Sequence, residues 1–286
     1  MRNANDSDGG VTSPPDRVVS DDTLPYFLKG VHPNARSGCL LVHGFSGTPQ
    51  EMRFLAGRLH TRGYTVDAVR LAGHCTTIED FGRSTWQDWY RSASAGVAEL
   101  QEEASHVVVV GQSMGALLAL KLAAEYPQVI AGVVLLSPAL VLSNPWVHRI
   151  APALPLLLPL ARRRSIRRGE RDVADPQARA ESPSYQELPI PALHQLLTLQ
   201  RHTRRVLPQV RQPALIIHSR QDHTCPPLNA ALLQRGLGGP VRAVLLEDSF
   251  HVISIDVDKE RVAAEVAAFV ESVATTETPA TTQFCD

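Results

Sequence analysis

The segment VVVVGQSMG, from Val107 to Gly115, constrains the fold of this chain more than any other. Four consecutive valines are too apolar and too β-branched for an exposed segment, and they predict a buried strand. Residues 116–125 carry apolar side chains at helical spacing and predict a helix. Ser113 therefore occupies a strand-to-helix turn, with a glycine two residues away on either side.

The pattern G-x-S-x-G at such a turn is that of a nucleophile elbow. A strained turn projects the serine hydroxyl above the sheet edge, and the flanking glycines let the strand and helix backbones approach closely. The start of the helix adds N–H groups and its positive dipole end beside that hydroxyl. An ordinary glycine-rich strand-to-helix turn is the alternative, because the bare motif also arises by chance.

Length, charge and cysteine spacing favour one cytoplasmic domain. The 286 residues suffice for one sizeable core, so a single domain with an insertion is expected. The 28 basic and 29 acidic residues leave a net charge of −1, which predicts no nucleic-acid partner. The first residues lack the apolar core of a signal peptide, and no apolar run approaches about twenty residues, so a cytoplasmic location is expected. The four cysteines lack ligand spacing, which predicts reduced thiols and no metal site.

Apolar strands and amphipathic helices alternate between two polar ends. Residues 1–22 and 274–286 are too poor in apolar side chains to order themselves and are predicted to be disordered, which leaves 23–273 as the folded domain. The repeated strand–helix units predict an α/β fold, a mostly parallel, doubly wound sheet with helices on both faces. Besides the elbow strand and its helix, the predicted strands are 38–42, 64–70, 129–137, 214–219 and 241–247, and the predicted helices are 48–62, 85–103 and 258–273.

A proline-rich insertion at about residues 142–191 interrupts this alternation. Open α/β sheets bind ligands at the carboxyl ends of their strands, so the insertion is predicted to form a cap over that edge. Residues 151–160 of the insertion are almost entirely Leu, Pro and Ala. One interpretation is a segment packed on the core with a solvated basic flank; the other is a hydrophobic lip that makes transient contact with a lipid surface. The basic flank consists of Arg162, Arg163, Arg164, Arg167 and Arg168.

The base and the acid that would activate Ser113 are predicted from chain order. In an α/β sheet the three groups lie in loops at one edge, in the order serine, acid, histidine. Of the eleven histidines, His251 is the one that follows the last predicted strand in a short loop. Asp222 is the predicted acid; Asp248 is the alternative, but it shares the loop of His251 and would reach the far nitrogen poorly. Structural roles are expected for His43, His194, His202, His218 and His223.

Two backbone N–H groups are predicted to form an oxyanion hole. Met114 follows the nucleophile at the start of the helix, and Phe45 lies in the loop HGFSG after the first predicted strand. Each donor of this kind commonly contributes roughly 3 kcal/mol in the transition state. Because His251 must be neutral to act as a base, activity is predicted to rise between roughly pH 6 and 8.

Together these motifs resemble the α/β-hydrolase superfamily, and within it the bacterial carboxylesterase and monoacylglycerol lipase branch. The matching segments are HGFSGTPQEMRFLAGRL, the LAGHC loop followed by WQDW, GQSMGA, SRQDHTCPPLNA and SFHVISID, which span about residues 38–270. The resemblance implies the α/β-hydrolase fold, with Ser113 as nucleophile, Asp222 as acid, His251 as base, and Phe45 and Met114 as oxyanion donors. It also implies two-step ester hydrolysis through an acyl-enzyme, with no cofactor.

Two positions depart from the family pattern. Lipases of this family read the glycerol head group with a cap carboxylate; here Gln186 occupies the matching place, and the carboxylate of Glu187 comes one residue later. Both are predicted substrate contacts, but a preference for glycerol does not follow from them. Cys75 stands in the loop Gly73-His74-Cys75 where family members usually have glycine, so a different loop geometry is expected.

The sequence therefore predicts a serine carboxylesterase for lipophilic esters with short to medium acyl chains, monoacylglycerols among them. A thioesterase or a haloperoxidase-like enzyme that forms peracids can use the same triad and is an alternative. Epoxide hydrolases and haloalkane dehalogenases need an aspartate nucleophile, which Ser113 argues against. The alternative outside the enzymes is a non-catalytic module that binds a hydrophobic ligand. Ligand binding alone does not explain why Ser113, Asp222 and His251 are all present.

Overall fold

The centre of the molecule is a seven-stranded, mostly parallel sheet. The computed structural model describes residues 23–31, 34–150, 154–161, 164–167, 169–183 and 185–276. The described residues form nine strands: β1 (Tyr26–Leu28), β2 (Ser37–Val42), β3 (Thr65–Val69), β4 (His106–Gln112), β5 (Ile130–Leu136), β6 (Ser165–Arg167), β7 (Glu187–Pro189), β8 (Ala214–Ser219) and β9 (Val241–Leu246). Seven of them form the central sheet, and β6 and β7 form a separate hairpin. The sheet has the order β1-β3-β2-β4-β5-β8-β9, and every pair except β1–β3 is parallel. The predicted fold class is confirmed.

Ten α-helices accompany the sheet in the described part of the chain. They are α1 (Arg53–His60), α2 (Ile78–Arg83), α3 (Trp86–Glu103), α4 (Met114–Glu125), α5 (Pro145–Ile150), α6 (Leu154–Ala161), α7 (Pro176–Glu181), α8 (Ile190–Val206), α9 (Leu228–Gly236) and α10 (Lys259–Thr276). The predicted helix 48–62 is divided, because a short 3-10 helix, Pro49–Met52, precedes α1. The last helix continues past its predicted end at Val273. The predicted terminal segment 1–22, the tail beyond Thr276, and Arg162, Arg163 and Arg168 lie outside the described residues.

The four valines of β4 divide between two hydrophobic cores, one on each face of the sheet. Val107 and Val109 belong to the core beneath α3, α4 and α8, whereas Val108 and Val110 belong to the core beneath α1 and α10. Successive side chains of a strand point to opposite faces, so a strand buried on both faces is apolar throughout. This arrangement explains why β4 shows no alternation of polar and apolar residues.

The segment between β5 and β8 forms the cap. It contains α5, α6, the antiparallel β6–β7 hairpin and α7, and it ends in the long helix α8, which packs against α4, α6 and α2. The predicted insertion thus lies between two central parallel strands, next to the end of β4. Within the described ranges, we find no helix long and apolar enough to span a membrane.

Candidate active site

The turn after β4 holds Ser113 in a conformation that few residues adopt. Ser113 lies between Gln112, the last residue of β4, and Met114, the first residue of α4. Its backbone φ is 56° and its ψ is −110°. A Cβ atom on Gly115 would lie 2.1 Å from the carbonyl oxygen of Val42, and one on Gly111 would lie 2.2 Å from the carbonyl oxygen of Gly115. Only glycine fits at both positions, so the elbow depends on close backbone contact.

Three residues distant in sequence meet at this turn. His251 Nε2 lies 2.9 Å from Ser113 Oγ, and His251 Nδ1 lies 2.7 Å from Asp222 Oδ2. The carboxylate can only accept, so Nδ1 carries the hydrogen and Nε2 is left to accept from the serine hydroxyl. All three side chains are buried. The other acid considered, Asp248, is exposed.

The carboxylate of Asp222 is held ionised. Its Oδ1 accepts hydrogen bonds from the backbone N–H groups of Thr224, at 2.9 Å, and Cys225, at 2.7 Å. Burial alone would raise the pKa of Asp222, but the imidazole of His251 and the hydrogen bonds from His218 and His251 outweigh burial and hold the pKa well below its usual range. Asp222 therefore places a negative charge beside the ring of His251, where it would stabilise a proton gained by that ring.

The loop after β2 lies directly over the serine. A Cβ atom on Gly44 would be 3.3 Å from the Cβ of Ser113, and the adjacent Phe45 anchors the loop by packing its ring 5.0 Å from that of Phe81. Phe45 and Gly44 both line the cavity at Ser113, and Met114 follows Ser113 at the start of α4. The structure thus places both predicted oxyanion donors beside the serine.

His43 supports this loop. Its Nε2 accepts a hydrogen bond from the backbone N–H of Leu71 at 3.2 Å, and its Nδ1 donates to the carbonyl oxygen of Gly44 at 2.9 Å. Burial lowers the pKa of His43, which favours the neutral ring. His43 is hydrogen-bonded as predicted, and its orienting role stays a prediction. His194 and His202 lie in α8, as predicted.

A cavity of about 390 Å³ opens onto Ser113 between the sheet and the cap. Its apolar wall comes from the cap, α8 included, and three acidic residues, an arginine and a histidine also line it. The apolar side chains of this wall are Leu142, Val147, Ile166, Leu188, Leu193 and Leu196, and the ionisable ones besides His251 are Glu51, Glu170, Arg171, Asp172 and His223. The cavity suits a substrate with an apolar part and a polar group.

The two predicted substrate contacts lie elsewhere. Gln186 is exposed, and Glu187 lies in β7 on the outer side of the cap, where it hydrogen-bonds with Ser165. Glu187 lines a larger cavity of about 870 Å³ between α2 and the cap, whose described lining includes none of the triad residues. Leu188, the next residue of β7, lines the cavity at Ser113, and successive side chains of a strand point to opposite faces, so Glu187 points away from that cavity. The structure does not bring Gln186 and Glu187 to Ser113. Their role in substrate binding stays a prediction.

The site also contains residues that the sequence analysis did not assign to it. The side-chain amide of Gln112 donates to the carbonyl oxygen of His251 at 3.0 Å and so ties the histidine loop to the elbow. The backbone N–H of Cys225 donates to Asp222 at 2.7 Å, and burial raises the pKa of the Cys225 thiol, which keeps it protonated. Neither residue belongs to a fixed position of a motif, so only the tertiary contacts reveal them.

A sequence profile of the family described as serine aminopeptidase, S33, matches residues 33–258. The match spans the elbow, the acid loop and the histidine loop. The chain belongs to this family of α/β-hydrolases.

Characterised relatives and solved structures agree with this assignment. The chain is 35% identical over 237 residues to the thermostable monoacylglycerol lipase of Bacillus sp. strain H-257, covering 81% of this chain and 91% of the relative. It is 25% identical over 252 residues to the carboxylesterase of Bacillus subtilis strain 168, covering 87% and 96%. A structure from work on the metagenome-derived lipolytic enzymes LipS and LipT superposes with a TM-score of 0.81 at 33% identity, covering 89% of this chain and 99% of that one. The chain is an ester hydrolase.

Proposed function

We propose that the protein is a serine carboxylesterase that hydrolyses lipophilic carboxylic esters with short to medium acyl chains, monoacylglycerols among them. The observation that carries the proposal is the continuous series of hydrogen bonds from Asp222 through His251 to Ser113, beside a cavity with an apolar wall. The activities in the names of the two bacterial relatives, monoacylglycerol lipase and carboxylesterase, support the same substrate class.

The proposed reaction has two steps. The hydroxyl proton of Ser113 moves to His251 Nε2 as Oγ forms a bond to the ester carbonyl carbon, and the N–H groups of Phe45 and Met114 stabilise the oxyanion. The imidazolium then gives its proton to the departing alcohol oxygen, which leaves an acyl-serine. In the second step a water molecule gives a proton to His251 and attacks the acyl carbon. Return of that proton to Ser113 releases the carboxylic acid.

The carboxylates at the cavity argue for an ester rather than an aminoacyl substrate. An aminopeptidase needs a negative charge for the free α-ammonium group of its substrate. Here Glu51 is paired with Arg171 and Glu170 with Arg179, and the carboxylate of Asp172 accepts hydrogen bonds from His223 and Thr224. Each acidic side chain that lines the described cavity is therefore engaged within the protein, which favours a substrate without a positive charge.

The proposal is tested with p-nitrophenyl esters of increasing acyl length, together with a monoacylglycerol, an acyl thioester and an aminoacyl p-nitroanilide. We expect the highest kcat/KM for oxygen esters of short to medium chain and a rise in rate between roughly pH 6 and 8, as His251 loses its proton. Ser113→Ala should reduce kcat by at least about 10⁴-fold, because it removes the nucleophile.

Ser94→Ala, on the exposed face of α3, is the matched control and should keep the full rate. Equal slow rates for the native protein and for Ser113→Ala would contradict the proposed function. A rate that falls from pH 6 to 8 would contradict the role of His251. Faster turnover of the thioester or the anilide would reassign the substrate class while leaving the nucleophile in place.

We also propose that the cap makes transient contact with a lipid surface. Leu156 of α6 is 82% exposed, and Ile166, which lines the cavity, is 44% exposed. The exposed side chains of Arg164 and Arg167 lie beside Ile166 in sequence and suit an anionic surface.

Co-sedimentation with vesicles of mixed phosphatidylcholine and phosphatidylglycerol tests this contact. Leu156→Asp should reduce the bound fraction several-fold, because it places a charge on the apolar contact. Val31→Asp is the control, since Val31 is 65% exposed beside Gly63, next to the start of β3 and at the opposite sheet edge from Ser113. Equal binding of both variants and the native protein would contradict the proposed contact.

A further inference from the structure

A second histidine contacts the acid of the triad. His218, in β8, is fully buried, and its Nε2 lies 3.1 Å from the carbonyl oxygen of Cys225 and 3.3 Å from Asp222 Oδ2. A carbonyl oxygen and a carboxylate oxygen can only accept hydrogen bonds, so Nε2 of this ring carries the hydrogen. The Nε2–H group of His218 is therefore shared between the carbonyl oxygen of Cys225 and the carboxylate oxygen that His251 also uses.

The donor on His218 differs from the other three donors to this carboxylate. Thr224, Cys225 and His251 donate from loops, whereas His218 donates from a strand that pairs with β5 on one side and with β9 on the other. A strand paired on both sides is among the most rigid parts of a sheet. His218 thus connects the carboxylate of Asp222 to the rigid sheet.

An imidazole at this position is unfavourable for folding alone. Its Nδ1 is buried and has no hydrogen-bond partner among the described residues. A buried polar atom without a partner costs free energy that an apolar side chain of similar volume would avoid. The benefit of a histidine here must therefore come from Nε2, which faces both the carbonyl oxygen of Cys225 and the carboxylate of Asp222.

The surroundings of the ring contain few other ionisable groups. Asp222 and Cys225 face it from the acid loop, and His251 lies across the carboxylate. On β9 the register partner of His218 is the aliphatic Leu245, and the pairing with β5 ends one residue earlier, at Ile217. The Asp222 carboxylate is therefore the charge on which this ring acts.

We propose that His218 is a positioning residue for the reaction. Its Nε2–H fixes the orientation of the Asp222 carboxylate and takes a share of the charge on Oδ2, so that His251 is aligned without becoming too strong a base. The inference rests on the proposed function, in which Asp222 and His251 activate Ser113.

Kinetics of two variants at position 218 test the proposal. His218→Leu removes the donor and should lower kcat of the order of 10- to 100-fold, with KM changed less than about twofold. Because the charge on Oδ2 then acts on His251 alone, the acid limb of kcat/KM should move to higher pH. His218→Gln can place an amide N–H near the position of Nε2. It should therefore keep most of the native kcat, with the acid limb of kcat/KM at its native pH.

Ile217→Val, a neighbouring buried change in β8, is the control: it should lower the melting temperature without moving the pH limb. If His218→Leu changes neither kcat nor the acid limb of the kcat/KM pH profile, the positioning role is overturned. A loss of activity in Ser113→Ala would then still support the proposed function. The positioning role would also be overturned if His218→Leu and His218→Gln lost the same share of kcat and the acid limb stayed at its native pH. If Ser113→Ala keeps the native rate, both proposals fail.

Nitrogen NMR of the histidine rings in the native protein gives a test that needs no variant. We expect the hydrogen of His218 on Nε2 throughout the pH range of activity. A hydrogen on Nδ1 instead would overturn the proposal, because Nε2 could not then donate to Asp222.

Discussion

Ser113 and Cys75 both occupy backbone conformations that side chains normally avoid, with φ values of 56° at each. At Ser113 this conformation directs the hydroxyl to His251, and such strain costs of the order of 1–3 kcal/mol, which the surrounding structure must offset. Cys75 stands where the resemblance to the family implies glycine, and it has a positive φ, which glycine adopts freely. The cysteine thus accommodates a glycine-like backbone at this position.

Gly115→Ala tests how far the elbow depends on close backbone contact. A methyl group there would lie 2.1 Å from the carbonyl oxygen of Val42, so we expect loss of soluble protein or a fall of more than about 3 kcal/mol in the free energy of unfolding. Gly57→Ala in α1 is the matched control, because no atom lies within 4 Å of its added methyl group. It should raise the free energy of unfolding by about 0.5–1 kcal/mol in urea titrations. Similar stabilities for the two variants would contradict this account.

Among the elements, the cap is joined to both catalytic loops through Asp172. Its carboxylate accepts from the backbone N–H groups of His223 and Thr224, and its carbonyl oxygen accepts from the backbone N–H groups of His251 and Val252. One cap residue therefore contacts the loop of the acid and the loop of the base. This arrangement couples the position of the cap to the geometry of the triad.

A buried ion pair makes a second connection between the cap and the α/β core. Arg171 and Glu51 lie 2.5 Å apart, with side chains 7% and 2% exposed. Removing one partner leaves the other charge buried, so Arg171→Met or Glu51→Met alone should lower the free energy of unfolding by about 3–5 kcal/mol. The double variant should be more stable than either single one, because neither charge is then left unpaired. Urea unfolding of the native protein, the two single variants and the double variant measures these free energies. If the loss in the double variant equals the sum of the two single losses, this account is contradicted.

For the molecule as a whole, the buried Asp67 makes stability depend on pH. Burial, reinforced by the charge of Glu99, raises the pKa of Asp67 to about 7. The side chain is 4% exposed, and its Oδ2 has no hydrogen-bond partner among the described residues. The unfolded chain releases this proton near pH 4, whereas the folded protein keeps it to about pH 7. The free energy of unfolding therefore falls by about 4 kcal/mol as the pH rises from about 4 to about 7.

Asp67→Asn should raise the melting temperature at pH 8, and the gain should shrink as the pH falls towards 4, where the carboxyl is protonated in both states. Asp88→Asn is the control, because hydrogen bonds from Thr85 lower the pKa of Asp88 and give the opposite dependence. Melting curves from pH 4 to 8 measure both. A gain for Asp67→Asn that does not change with pH would argue against a buried carboxyl as its cause.

Elements with a strong pattern could be predicted from the sequence to within a few residues. The strand 214–219 has the predicted bounds, and the predicted helix 85–103 appears as α3, one residue shorter, with Thr85 as its N-cap. The three-residue strands β1, β6 and β7 were not predicted, because segments this short carry too few side chains to show a period. Glu187 lies in one of these short strands, β7, where the alternation of side chains directs it away from the cavity that Leu188 lines.

The sequence by itself determined the sheet, the elbow and the order of Ser113, Asp222 and His251, because these depend on local chemistry and on the rule that parallel strands end at one edge. Only the tertiary structure decided how Arg171 meets Glu51 and how His218 meets the carboxylate of Asp222. In both contacts a polar side chain is satisfied by a partner that folding brings to it. Arg171 and Glu51 are distant in sequence, and His218 and Asp222 are four residues apart. Neither contact can be predicted from a sequence pattern, because its energy depends on burial and on distance, and both arise only in the folded molecule.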